Sequence, residues 1–236
     1  MKTTILFDLG NTLVEYYDSS QSAAVLAEAL VEVHHLLDQH GLLTVAPEAA
    51  QQQMQAEREA EDYRVRPLIG RLARAFELDG LDPAGPLAEE LSRRFLRPIF
   101  ARARRYDDTL PTLRELRARG FQSAIVSNSP WGSPVSLWRE ELRRLDLERH
   151  VDAAVFCGDV GWRKPARQIF DFALAKLHAS PQESLFVGDH PQWDVAGAQA
   201  AGIEALLIDR RGSMRDAGER LIRHLSELWD WIYEAY

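Results

Sequence analysis

Apolar and polar positions alternate along this chain with two different rhythms. The first run, Ile5-Leu6-Phe7, is short and unbroken, and it stops at Asp8 just before the turn-forming pair Gly10-Asn11. This predicts a buried strand with a carboxylate at its carboxyl end, and glycine is the residue suited to a positive φ in such a turn. A long helical pattern follows. Val25, Leu26, Ala29, Leu30, Val33, Leu36 and Leu37 share one face at helical spacing, ending near His40-Gly41. Further helices are predicted over 46–62, 64–78 and 85–104, with breaks such as Asp82-Pro83-Ala84-Gly85-Pro86 and no strand pattern between Thr44 and Arg105.

From Tyr106 onward the rhythm changes to alternating helices and strands. A helix from Thr109 to Arg119 is closed by Gly120, and the strand 121–126 after it ends at Ser127-Asn128-Ser129. A helix over 135–145 precedes a strand over 153–157. The loop 158–165, carrying Lys164, then leads into a helix through His178. A strand over 184–189 ends at Asp189, its helix runs from Pro191 to Ala201, and a fifth strand covers 205–208 before a closing amphipathic helix over 214–235. Alternation of this kind predicts an α/β fold: a Rossmann-like parallel sheet with helices on both faces and right-handed crossovers. The helices between the first two strands form an inserted α-helical block. The expected division is a core of residues 1–16 and 106–236 and a cap of residues 17–105.

Composition narrows the class. At 236 residues, 46% hydrophobic and 27% charged, the chain has the make-up of a soluble globular protein. A net charge of −8 argues against a nucleic-acid partner, and one cysteine, Cys157, excludes an internal disulfide framework. No run resembles a leader or a membrane span, so the expectation is a cytoplasmic protein without membrane contact. Arg93, Arg94, Arg97, Arg102, Arg104 and Arg105 lie at the end of the helical block. They form either a solvated face balanced by Glu89 and Glu90, or, with Arg64 and Arg66, a source of guanidinium groups for an anionic substrate. Trp229, Trp231, Tyr233 and Tyr236 either close the core or form a contact surface, which leaves monomer and homodimer both open.

Candidate chemistry gathers at the strand ends. Asp8, Ser127, Lys164 and Asp189, with Asp194 a helical turn beyond Asp189, all fall on one sheet edge, where ligands bind in open α/β sheets. Converging carboxylates repel one another, so a divalent cation is the natural occupant. Mg²⁺ suits Asp8, a backbone carbonyl from the Gly10 turn, and Asp189. Ser127 and Lys164 would then hold phosphate oxygens while Asp8 attacks phosphorus.

These motifs, Asp8-Leu9-Gly10-Asn11-Thr12-Leu13, Ser127-Asn128, Lys164-Pro165 and Gly188-Asp189 through Asp194-Val195-Ala196-Gly197-Ala198, resemble in order and spacing the four motifs of the haloacid dehalogenase-like (HAD) hydrolase superfamily. The resemblance covers residues 3–17 and 106–210. It implies a helical cap, an Asp8 nucleophile, substrate contacts from Ser127, Asn128 and Lys164, and Mg²⁺ held by Asp8, the Gly10 carbonyl and Asp189, with Asp194 behind them. The implied activity is a Mg²⁺-dependent phosphatase acting on a small phosphorylated metabolite. One position departs from the pattern: the superfamily's phosphatases carry a general-acid Asp two residues after the nucleophile, and this chain has Gly10. His190 is a candidate replacement proton donor. Two alternatives stay open: a 2-haloacid dehalogenase using Asp8 on carbon, where a halide leaves without a proton, and a binding protein of this fold with little turnover.

Overall fold

The computed structural model describes residues 2–42, 45–57, 62–214 and 220–233. Its centre is Thr4–Phe7 (β1), buried along its whole length. Ile5 and Phe7 point to one apolar cluster and Leu6 to another, as the two-residue repeat of a strand requires. Val14–Glu15 (β2) comes next and pairs antiparallel with Arg104–Arg105, a small ladder through which the chain leaves and re-enters the core. Between them lie Ser22–Gln39 (α1), Pro47–Ala56 (α2), Leu68–Ala75 (α3) and Pro86–Ala101 (α4).

The seven apolar residues predicted on one face of α1 are the seven that are buried. On the other three helices the predicted ends run too far, and residues 58–61 lie outside those described. Arg104–Arg105 (β3) overturns the expectation that the region before Tyr106 holds no strand; two residues are too few to show an alternation. The arginines of α4 meet acids. Arg93 pairs with Glu89 and Glu140, Arg97 and Arg94 with Glu32, and Arg102 with Glu28. Arg66 pairs with Asp62.

The core continues with Thr109–Ala118 (α5), Gln122–Ser127 (β4), Val135–Arg144 (α6), Ala153–Phe156 (β5), Cys157–Val160 (α7) and Arg167–Leu177 (α8). Ser184–Gly188 (β6), a helical stretch Pro191–Ala196 running into Gly197–Ala200 (α9), and Glu204–Ile208 (β7) complete the alternation. The closing helix predicted over 214–235 is corrected. Leu221–Ile222 (β8) adds an edge strand beside Leu207 and Ile208, and only Leu228–Tyr233 (α10) is helical. Leu221 and Ile222 are a pair too short for periodicity to separate strand from helix. Residues 215–219 and Tyr236 lie outside those described. Trp229 and Trp231 pack on the core, whereas Tyr233 is half exposed.

All six strands of the main sheet are parallel, in the order β5-β4-β1-β6-β7-β8. β1 lies between β4, from which the chain winds one way, and β6, from which it winds the other. The carboxyl end of β1 therefore opens on the crevice where the winding reverses. A second contact ties the helical insert to this edge. Val65 N–H donates to the Gly161 carbonyl at 3.0 Å and Arg163 N–H to the Tyr63 carbonyl at 2.9 Å. Between these rungs the Arg64 guanidinium lies 3.7 Å over the Trp162 ring. Among the described residues no helix is long and apolar enough to cross a membrane.

Candidate active site

Three strand ends and one loop converge at the switch point. Asp8 follows β1, Ser127 ends β4, Asp189 follows β6, and Lys164 sits on the loop leading into α8. Lys164 is the hub, 2% exposed, with its Nζ 2.5 Å from Asp8 Oδ1 and 2.6 Å from Asp194 Oδ1. Asn128 fixes its main chain from both sides: the Asn128 amide donates to the Lys164 carbonyl at 3.2 Å and accepts from Lys164 N–H at 2.8 Å. That side chain, predicted as a substrate contact, is thus engaged in holding Lys164. The second oxygen of Asp194 accepts the His190 N–H at 2.9 Å. Gly188 makes this approach possible, since a Cβ there would stand 2.4 Å from Asp194 Oδ2.

The electrostatics are those of a site short of positive charge. Burial raises the Asp8 carboxyl and Asp194 adds to the rise, while Lys164 and a hydrogen bond from Ser127 oppose it. Burial, then the charges of Asp8 and Asp194, push Asp189 up to about 8. For Lys164, burial works against the charged form, but Asp194 and Asp8 outweigh it and hold the ammonium well above its usual range. Asp8, Asp189 and Asp194 each offer an oxygen within 4.8 Å of the others. One lysine cannot neutralise three carboxylates, and an all-oxygen donor set of this kind fits a hard divalent cation such as Mg²⁺. With both oxygens of Asp194 engaged, Asp8 and Asp189 are the carboxylates with capacity left to ligate.

At Gly10 the expected positive φ is absent; Asn11 takes it instead, at 55°. His190 caps the following helical stretch: its Nδ1 accepts from Gln192 N–H and Trp193 N–H, both at 3.2 Å, and its ring stacks on Trp193 at 4.1 Å. Burial, then the Lys164 charge, lowers its pKa. An imidazole accepting at Nδ1 carries its proton on Nε2, which leaves that N–H as a hydrogen-bond donor.

A cavity of about 580 Å³ rises from this cluster into the insert. Its upper walls include Tyr16, Met54, Arg71, Ile99, Trp131 and Trp138. The arginines of α4 do not line it, and neither do Arg64 and Arg66 among the described residues; Arg71 and Arg163 do. Neither of these two was singled out from sequence. Arg71 did leave a signal, because it sits with Leu68, Leu72 and Ala75 on the buried stripe of α3.

Comparison with known proteins agrees with the geometry. The haloacid dehalogenase-like hydrolase family model matches residues 2–202. A phosphoserine phosphatase of Thermus thermophilus is 36% identical over 56% of this chain, a match that spans about half of that relative's length. The ribulose-1,5-bisphosphate 5-phosphatase of Halopiger xanaduensis is 29% identical over 98% of this chain and the whole of its own. The crystal structure of a 2-haloacid dehalogenase from Pseudomonas syringae superposes with a TM-score of 0.72 at 25% identity, covering both chains fully. The chain belongs to the haloacid dehalogenase-like hydrolases.

Proposed function

We propose that this hydrolase is a Mg²⁺-dependent phosphatase of small phosphorylated metabolites, with residues 17–105 acting as a cap over a core of residues 1–16 and 106–236. The observation that carries the reading is Asp189. Its carboxyl lies beside Asp8 and Asp194, where burial and their charges push it up to about 8, and a cation bound among them would offset that repulsion and take Asp189 as a charged ligand. Attack on carbon with loss of halide has no use for such a group. Bound Mg²⁺, held by Asp8, Asp189 and the Gly10 carbonyl, would offset the charge of the transferring phosphoryl group.

The chain's own residues do the rest. Asp8 attacks phosphorus and forms an aspartyl-phosphate, which water then hydrolyses. Lys164 supplies a fixed positive charge beside the nucleophile, so phosphate oxygens meet an ammonium that is already oriented. Ser127, 5% exposed and hydrogen-bonded to Asp8, offers its hydroxyl to a phosphate oxygen once substrate arrives. The insert excludes water and shapes the pocket.

The dehalogenase reading keeps one observation in its favour, the missing acid at Gly10, and one assay separates the two. Aryl phosphate hydrolysis that requires Mg²⁺, without halide release from a 2-haloacid, supports the phosphatase; the opposite pattern replaces it. Asp8→Asn is expected to leave the fold intact and to remove turnover, because the amide keeps the shape and loses the attacking charge. Residual activity above a few per cent, with deamidation excluded, would refute Asp8 as nucleophile.

A further inference from the structure

The stretch of the insert just before α3 is held to one shape by Asp62. Its Oδ1 accepts the Arg64 N–H at 3.0 Å and Arg66 Nη1 at 3.1 Å, and its Oδ2 accepts Arg66 Nη2 at 3.0 Å. Arg66 Nη1 also donates to the Arg64 carbonyl at 3.3 Å. Inside this clasp Tyr63 takes a φ of 54°, a conformation uncommon and costly for an aromatic residue. Backbone of this kind persists only where the contacts around it over-determine it, and here those contacts lead toward the active site.

Two loops of the core meet at Lys164, and residues 62–66 rest on both. The loop 161–163 receives the rungs to Tyr63 and Val65, at 2.9 and 3.0 Å, and Lys164 is the next residue along the chain. The loop after β4 carries Asn128, whose amide holds the Lys164 main chain from the other side. Further along that loop, Gly132 abuts the insert so closely that a Cβ there would stand 1.9 Å from the Arg66 carbonyl oxygen. One short stretch of the insert therefore touches both loops whose junction sets the ammonium between Asp8 and Asp194.

We propose that residues 62–66, held in shape by Asp62, position Lys164 for catalysis through their backbone, so that the placement of the ammonium depends on the insert. The proposal rests on Lys164 serving the phosphoryl group, as in the phosphatase reading above. Lys164 needs such support because its Nζ must reach two carboxylates at once. A displacement of about 1 Å at a reacting group can cost about 10² in rate. Asp62 is exposed and does not line the cavity, so it acts on the reaction only through this chain of contacts, as a positioning residue. A surface acid with no such role would leave turnover unchanged.

The test compares Val65→Pro, Val65→Ala, Asp62→Ala and Asp62→Asn by phosphate release in Mg²⁺ from glycerol phosphate and from 4-nitrophenyl phosphate. Val65→Pro deletes one rung and is expected to lower kcat/KM by about tenfold to a hundredfold. Val65→Ala keeps the N–H and is expected to change it by less than about threefold. Asp62→Ala is expected to cost about threefold to tenfold, and Asp62→Asn less, because the amide oxygen still accepts the Arg64 N–H. Each loss is expected to fall equally on both esters, as a misplaced Lys164 requires, and to shrink below about twofold in a Lys164→Ala background. Asp62 is exposed, so circular dichroism of its variants is expected to match the wild type even if Val65→Pro does not fold. Losses confined to one ester, losses undiminished in the Lys164→Ala background, Val65→Ala costing as much as Val65→Pro, or wild-type kinetics in Asp62→Ala would overturn the proposal. Unchanged kinetics in Lys164→Ala itself would instead remove Lys164 from the chemistry, and a wild-type protein that hydrolyses no phosphate ester in Mg²⁺ would overturn the phosphatase reading.

Discussion

Installing the missing acid with Gly10→Asp is the perturbation that most directly probes this site. The structure removes both steric objections to it. Gly10 does not adopt a positive φ, and the atom nearest to an added Cβ is 3.9 Å away, an ordinary contact. The Gly10 carbonyl is retained, so the oxygen assigned to Mg²⁺ is unaffected. The new carboxyl would join Asp8, Asp189 and Asp194 and be pushed up by them, which favours the protonated form that a general acid needs. General acid catalysis is typically worth about 10²–10⁴ in rate, or roughly 3–5 kcal/mol. The gain on glycerol phosphate is expected to be about 10² or more, against less than about threefold on 4-nitrophenyl phosphate. Phosphate release at saturating Mg²⁺ measures both, and circular dichroism establishes that the variant is folded. A folded variant that changes both rates by the same factor would refute the reasoning. So would a wild type that hydrolyses both esters equally fast with chemistry rate-limiting.

Lys164→Ala is expected to lower kcat/KM by about 10² or more on alkyl and aryl esters alike, because its charge serves the phosphoryl group and not the leaving oxygen. It should also cost roughly 3–5 kcal/mol of stability in urea titrations, since it leaves Asp8 and Asp194 buried without their counter-charge. Unchanged kinetics would exclude Lys164 from the chemistry. With the metal-free Asp189 carboxyl at about 8, binding Mg²⁺ below that pH must expel a proton. The apparent Kd for Mg²⁺, followed by titration calorimetry, is therefore expected to fall by up to about tenfold per pH unit from 6 to 8 and then level off. A Kd that is flat across that range refutes the assignment, and Asp189→Asn should weaken binding and abolish the slope. The same shift has a sign for stability. Folding raises this carboxyl from 3.8, so the folded chain binds the proton more tightly, and the metal-free fold loses stability as pH rises from about 4 to 8.

What could be read from the sequence follows from how each feature is encoded. Asp8, Ser127 and Asp189 stand out because each closes an apolar run, and the seven buried positions of α1 stand out because eighteen residues give the helical period room to repeat. β2, β3 and β8 are two residues each and carry no period at all. The arginines of α4 could not be assigned from sequence, because their partners Glu28, Glu32 and Glu140 lie 47 to 74 positions away along the chain. Arg71 was legible in principle as a cation on an apolar stripe.

The two backbone rungs joining residues 63–65 to 161–163 bear on how such a protein diverges. They are made of main-chain N–H and C=O groups, which every residue but proline supplies in full. The side chains on both strands of this seam are therefore free to drift, while the insert stays registered one residue away from Lys164. A lineage can rewrite the walls of its pocket, and so change what it accepts, without renegotiating the alignment of the insert with the group beside the nucleophile. Proline at Val65 or Arg163 is the change this freedom excludes, since it deletes a donor from the seam.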